Sequence, residues 1–236
     1  MEEALMGDRD CADIARLIDH SLLHPAMGDA ELAAGCRAAG AWGVATVCVK
    51  PYFVGQAREL LEGSGVKAGT TVGFPHGGHA ISVKVAEART ALSQGAEELD
   101  MVINVGKAKG GDWDYLHDEI EAVVEVGHQG GALVKVIFEN CYLEDEGKRE
   151  LCRISRRVGA DFIKTSTGYG TGGATDEDLR LMLAEAGDEI GVKAAGGVRT
   201  YAHALRLKEM GVRRIGASRT EQMLEECRRE RSGESG

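Results

Sequence analysis

The sequence lacks any apolar run approaching 18 residues, and its opening, "MEEALMGDRD", has no apolar stretch of the signal-peptide kind. These absences argue against a helical membrane span and lead us to expect a cytoplasmic protein. Positive charge is in deficit: 28 lysines and arginines against 38 aspartates and glutamates leave a net charge of −10. A field of that sign opposes nucleic acid and anionic membrane, so an anionic substrate needs a local positive site. The six cysteines (Cys11, Cys36, Cys48, Cys141, Cys152, Cys227) include no C-x-x-C pair. With no secretory signal, they read as reduced thiols, mostly small buried hydrophobes.

No linker or low-complexity segment interrupts residues 12–225. Only residues 1–10 and 228–236, the latter "RRERSGESG", read as disordered. The remainder is a single domain within a chain of 236 residues, 43% hydrophobic and 28% charged, long enough to bury a substantial core.

What is present is a rhythm of short apolar strands and amphipathic helices. The strands read as "RLIDHSL", "GVATVCV", "KAGTTVGF", "EELDMVINV", "ALVKVIF", "DFIKTS", "EIGVKAAG" and "RRIGAS". Helical patterns lie between them at Ala30–Ala39, Tyr52–Glu62, Ile81–Gln94, Tyr115–Val126, Glu146–Val158, Asp176–Ala186 and Ala202–Met210. Glycine punctuates many helix ends, and Asp29 and Thr175–Asp176 carry N-cap signals. Eight alternating repeats predict an α/β fold, a (β/α)8 TIM barrel with a short N-terminal helix. An open doubly wound sheet is the competitor, but no G-x-G-x-x-G follows the first strand.

Strand side chains alternate between two faces, which sorts each strand. In the fourth, Leu99, Met101, Ile103 and Val105 share the face suited to packing helices, and Asp100, Val102 and Asn104 take the other. The same parity turns Asp19, Lys135, Lys164 and Lys193 toward the barrel axis. One lysine at a strand end can snorkel to water. Three lysines and two aspartates placed inward on five strands by one rule are too expensive to be filler. The chemistry they suit is amine catalysis. A neutral lysine attacks a carbonyl, and the resulting iminium becomes the electron sink for making or breaking the adjacent carbon–carbon bond. Burial and a second ammonium both lower a lysine pKa toward neutrality, and an aspartate can relay protons.

Small-residue turns follow the last three strands: "STGYGTGGAT" (166–175), "GGVRT" (196–200) and "GASRT" (216–220). In barrels such loops commonly bind phosphate through backbone N–H groups.

Together with "IDHSLLHP", "VCVKP", "VGFPHG", "ELDMVINVG", "GDW", "DFIKTSTG", "GVKAAGGVRT" and "RIGAS", these residues make the chain resemble the deoxyribose-phosphate aldolases over about residues 12–222. The resemblance implies a class I lyase that cleaves 2-deoxy-D-ribose 5-phosphate reversibly to acetaldehyde and D-glyceraldehyde 3-phosphate. It implies no metal or other cofactor, a phosphosugar and an aldehyde as the small-molecule partners, and room for a homo-oligomer. By motif, Lys164 forms the Schiff base, Lys193 lowers its pKa, and Asp100 relays the proton with Lys193. Gly168, Gly196, Gly197, Gly216 and Ser218 fall where the family holds phosphate, and Asp19, Cys48 and Lys135 take supporting places.

The chain also departs from the family pattern. Ser21 and His24 stand where threonine and lysine are usual, Lys50 where an aromatic is common, Tyr169 for a lysine of some members, and Arg219 for a frequent serine. Three other readings stay open at this point. One is a metal-dependent aldolase using His76 and His79 of "HGGH". Another is a Schiff-base aldolase for a different phosphosugar, and the third is a non-catalytic phosphosugar-binding barrel.

Overall fold

The computed structural model describes residues 11–232. Eight strands appear in chain order: β1 (Ile18–Leu22), β2 (Thr46–Val49), β3 (Lys67–Val72), β4 (Glu98–Val102), β5 (Leu133–Ile137), β6 (Phe162–Lys164), β7 (Gly191–Ala195) and β8 (Arg214–Ala217). Each pairs in parallel with the next, and β8 pairs with β1, so the sheet closes into a barrel. Parallel neighbours require a crossover, and here helices supply it between consecutive strands.

The outward face of the sheet makes the main core. Leu99, Met101 and Ile103 from β4 and its end, with Val134, Val136 and Phe138 from β5 and its end, pack against Leu116, Ile120 and Val123 of the helix Trp113–Gln129. At about 1.5–3 kcal/mol for each fully buried aliphatic or aromatic side chain, this layer carries the stability of the fold. The inward face is different. Val102 and Ile137 are buried there beside Asp19, Glu98, Asp100, Lys135, Lys164 and Lys193. Gly191 leaves room for the Phe162 ring, which a Cβ would meet at 2.3 Å.

All seven expected helices are present, Asp176–Ala186 with both bounds as expected and the other six with shifted ends, and residues 11–15 form the short N-terminal helix. Two helices went unread, Val105–Gly110 and Thr220–Ser232. The second corrects the expected disorder of residues 228–236, because 228–232 continue a helix that buries Thr220, Met223, Leu224 and Cys227. A narrow apolar stripe at that spacing is hidden by the charged residues around it. Residues 1–10 and 233–236 of the expected tails lie outside the described residues.

The cysteine reading is corrected as well. Cys11 and Cys227 form a disulfide across 216 residues of sequence, with Cα atoms 5.9 Å apart. Cys36, Cys48 and Cys152 are buried free thiols and Cys141 is an exposed one. Among the described residues no helix is long and apolar enough to cross a membrane.

Candidate active site

The barrel register decides which inward side chains meet. Asp100 lies opposite Lys135, Ile137 opposite Lys164, and Lys164 opposite Lys193, which in turn faces Arg214. Lys164 and Lys193 therefore share one level, and Lys135 sits two residues deeper toward the N-terminal end. Asp100 joins the three: its Oδ2 accepts from Lys164 and from Lys193 at 2.7 Å each, and its Oδ1 accepts from Lys135 at 2.7 Å. Both ammonium groups touch the same oxygen, so they are at most about 5.4 Å (2 × 2.7 Å) apart.

The remaining partners separate the lysines. Lys135 also donates to Glu98 at 2.6 Å and lies 3.3 Å from Asp19, while Lys193 donates to Asp19 in a short contact. Lys164 has no carboxylate but Asp100 among the described residues. Arg214 closes the network by donating to Asp19, Glu98 and Thr46. Inside the barrel three buried carboxylates (Asp19, Glu98, Asp100) thus face four cationic side chains (Lys135, Lys164, Lys193, Arg214), and a fifth, the half-exposed Lys67, reaches Glu98 from the solvent side at 3.8 Å. In a low-dielectric interior that excess is relieved when one cation gives up its proton.

The local electrostatics select which one. Burial depresses the Lys164 pKa, and the Lys193 ammonium adds to the depression against the pull of Asp100. Burial also works against the charge of Lys193, but Asp100 and Asp19 outweigh it and hold that pKa above the ordinary lysine value. Lys135 is raised further, since Asp100, Asp19 and Glu98 together overcome its burial. Burial favours the neutral acids of Asp19 and Asp100, yet the surrounding lysines keep both well below the usual carboxylate range. Of the four cationic groups Lys164 alone has its pKa lowered, so it is the one that gives up its proton most readily.

Above this network lies a cavity of about 310 Å³ at the C-terminal end of the barrel, reached by Lys164, Lys193, Asp19 and Cys48. Burial pushes the Cys48 thiol up to about 11, so it stays protonated at neutral pH. Gly168, Gly196, Gly197, Gly216 and Ser218 all line the same cavity. Gly168 and Gly197 have φ of +87° and +91°, a region that favours glycine. Among the described residues, neither offers its N–H to a backbone partner.

Asp100 and Lys135 lie beneath the cavity wall, fully buried. Of the departures, His24, Ser21 and Tyr169 line the cavity, whereas Lys50 and Arg219 do not. Lys50 instead donates to the carbonyls of Pro25 and Met27, bracing the loop after β1. His76 and His79 are exposed on the loop after β3. The group of potential metal ligands found among the described residues is His117, Asp118 and Glu121, which includes neither.

Sequence reasoning missed Glu98, Arg214 and Thr46 in the network and Arg199 at the cavity. A signal existed for two of these. Glu98 is two residues before Asp100, and Arg214 two before Gly216, so the parity rule carried one step back places both inward.

Residues 14–217 match the DeoC/LacD family of aldolases. The chain is 50% identical over 225 residues to a deoxyribose-phosphate aldolase of Rhodopirellula baltica, covering 95% of this chain and 93% of that one. It is 50% identical over 218 residues to the Thermococcus gammatolerans deoxyribose-phosphate aldolase, covering 92% and 97%. The solved deoxyribose phosphate aldolase of Aeropyrum pernix, described as a unique tetrameric structure, superposes with a TM-score of 0.86 at 32% identity, covering 95% of this chain and 94% of that one. The barrel, the inward lysines and 50% identity to the first two of these relatives over nearly the full length place this chain in the DeoC/LacD family of aldolases.

Proposed function

We propose that the protein is a class I deoxyribose-phosphate aldolase, reversibly cleaving 2-deoxy-D-ribose 5-phosphate to acetaldehyde and D-glyceraldehyde 3-phosphate. The observation that carries this reading is the unequal partnering of three buried lysines, which leaves Lys164 alone poised to be a neutral amine at the cavity. Its Nζ attacks C1 of the open-chain sugar, and loss of water gives an iminium. Removal of the proton from the C3 hydroxyl, relayed through Lys193 and Asp100, breaks the C2–C3 bond. The bonding pair moves to C2 as an enamine, and C3 leaves as the aldehyde of glyceraldehyde 3-phosphate. Protonation at C2 and hydrolysis of the iminium by water release acetaldehyde and restore Lys164.

Asp19 and Lys135 are assigned to holding Lys193 and Asp100 charged and in place, and Cys48 to the cavity floor. The N–H groups of Gly168, Gly196, Gly197 and Gly216, with Ser218, are assigned to the 5-phosphate, in a chain whose net charge otherwise repels it. The enzyme is assigned to deoxyribose phosphate catabolism in the cytoplasm, and to a homo-oligomer by extension from the tetrameric relative. Light scattering on the purified protein checks the last point, and a monomer mass overturns it.

Borohydride reduction in the presence of acetaldehyde tests the assignment. An ethyl group on Lys164, read by peptide mapping, is the expected product. Label confined to another lysine, or none at all, refutes it.

A further inference from the structure

Glu139 is the one non-glycine residue with positive φ among the described residues, at φ 56° and ψ 60°. It lies two residues beyond Ile137, the last residue of β5, where the pairing with β6 slips. Phe138 N–H donates to Lys164 O at 3.0 Å and Asn140 N–H to Thr165 O at 2.9 Å, so two steps on one strand meet one on the other. Such a bulge turns a side chain away from its ordinary direction. Here it delivers a carboxylate that is 97% buried (3% exposed) to the loop after Lys164.

That carboxylate takes both donors of Thr167. Oε1 accepts the Thr167 backbone N–H at 3.1 Å, and Oε2 accepts its hydroxyl in a short contact. The hydroxyl oxygen in turn accepts Tyr169 N–H at 3.0 Å, closing a turn over Gly168. Tyr169 then spans the cavity mouth. Its hydroxyl donates to the Leu23 carbonyl at 2.9 Å, and Phe74 meets its ring edge-on with centroids 5.4 Å apart. Thr167, Gly168, Tyr169 and Leu23 all line the cavity. A rare backbone conformation at a buried acid is maintained only where surrounding contacts over-determine it. These contacts all lead to one wall of the site.

We propose that Glu139 is a positioning residue for this site. Through Thr167 and Tyr169 it sets the wall that receives the phosphosugar, without touching the reacting atoms. The proposal rests on the aldolase reading above. It separates two steps that share Lys164. Capture of acetaldehyde needs the amine alone, whereas cleavage of the phosphosugar also needs the wall to orient it.

The test compares wild type with Glu139→Gln, Glu139→Gly and Tyr169→Phe. Hydrogen bonds to a charged group of this kind correspond to roughly 10- to 100-fold in binding. In Glu139→Gln, KM for 2-deoxyribose 5-phosphate is expected to rise and kcat/KM to fall by about that factor. Trapping of acetaldehyde on Lys164 by borohydride should stay within about threefold. Glu139→Gly relieves the backbone but loses the carboxylate, so it should show the same split. Kinetics equal to wild type in either variant would mean the acid serves the fold alone and would overturn the proposal. An equal loss in cleavage and trapping overturns it too. Tyr169→Phe reads the brace from its exposed end, independently of any folding defect at Glu139. A KM rise of roughly 3- to 10-fold is expected from one lost neutral hydrogen bond, and no change overturns the link. Wild-type cleavage and trapping are measured first. Their absence refutes the aldolase reading, whereas an active wild type with unchanged variants refutes the brace alone.

Discussion

Replacing Lys193 by leucine should switch off the amine at Lys164 by protonating it. The two ammonium groups lie at most about 5.4 Å apart across Asp100 Oδ2. With an effective dielectric near 20, two unit charges at that separation repel by about 3 kcal/mol. Removing the repulsion favours the protonated form of Lys164 by roughly a hundredfold at about 1.4 kcal/mol per factor of ten. The charge count points the same way. Without Lys193, three buried carboxylates face Lys135, Arg214 and Lys164, and neutrality now requires Lys164 to keep its proton. The fold should tolerate the change, because Asp19 retains Arg214 and Lys135, and Asp100 retains Lys135 and Lys164.

The assay is the rate of imine formation with acetaldehyde as a function of pH. In wild type the rate should rise with pH through a midpoint below the ordinary lysine value, because burial and Lys193 depress the Lys164 pKa. In Lys193→Leu the midpoint should move to higher pH, and the rate at neutral pH should fall roughly a hundredfold. Lys193→Arg keeps the charge and should leave the midpoint near that of wild type, while slowing cleavage through the lost proton relay. An unmoved midpoint in the leucine variant would show that the two side chains do not interact across Asp100.

Four further outcomes are expected. Deoxyribose without its 5-phosphate should have a much lower kcat/KM, and Gly197→Val, at a φ of +91°, should raise KM for the phosphosugar; equal kcat/KM for the two sugars would move the phosphate elsewhere. In denaturant without reductant, thiol titration should count the four free cysteines, Cys36, Cys48, Cys141 and Cys152, and a count of six would refute the Cys11–Cys227 bond. Burial holds the His20 pKa down to about 4, beside the Thr220 hydroxyl at 2.9 Å. Its folded value lies below the unfolded value near 6.5, so its contribution is complete above about pH 6.5 and is lost as pH falls toward 4. Urea unfolding at pH 7 and pH 4.5 should show a larger loss in wild type than in His20→Asn, and equal losses would contradict it.

Alternation along single strands was enough to turn Asp19, Asp100, Lys135, Lys164 and Lys193 inward, because a period of two is a local property that needs no partner. The same local reading found the eight strands, and glycine composition found the turns at Gly168, Gly196 and Gly197, whereas Gly216, expected to open a turn, lies within β8. Which inward charges touch was decided only by the closed barrel. The offset between neighbouring strands is set jointly by all eight, and it puts Ile137, not Lys135, opposite Lys164. That offset gives Lys135 and Lys193 several carboxylates and leaves Lys164 with one, which is why one lysine of three is singled out. Tertiary structure alone also joined Cys11 to Cys227 and bent Glu139 into the left-handed region. Both depend on segments meeting in space, and no periodicity along the chain records such a meeting.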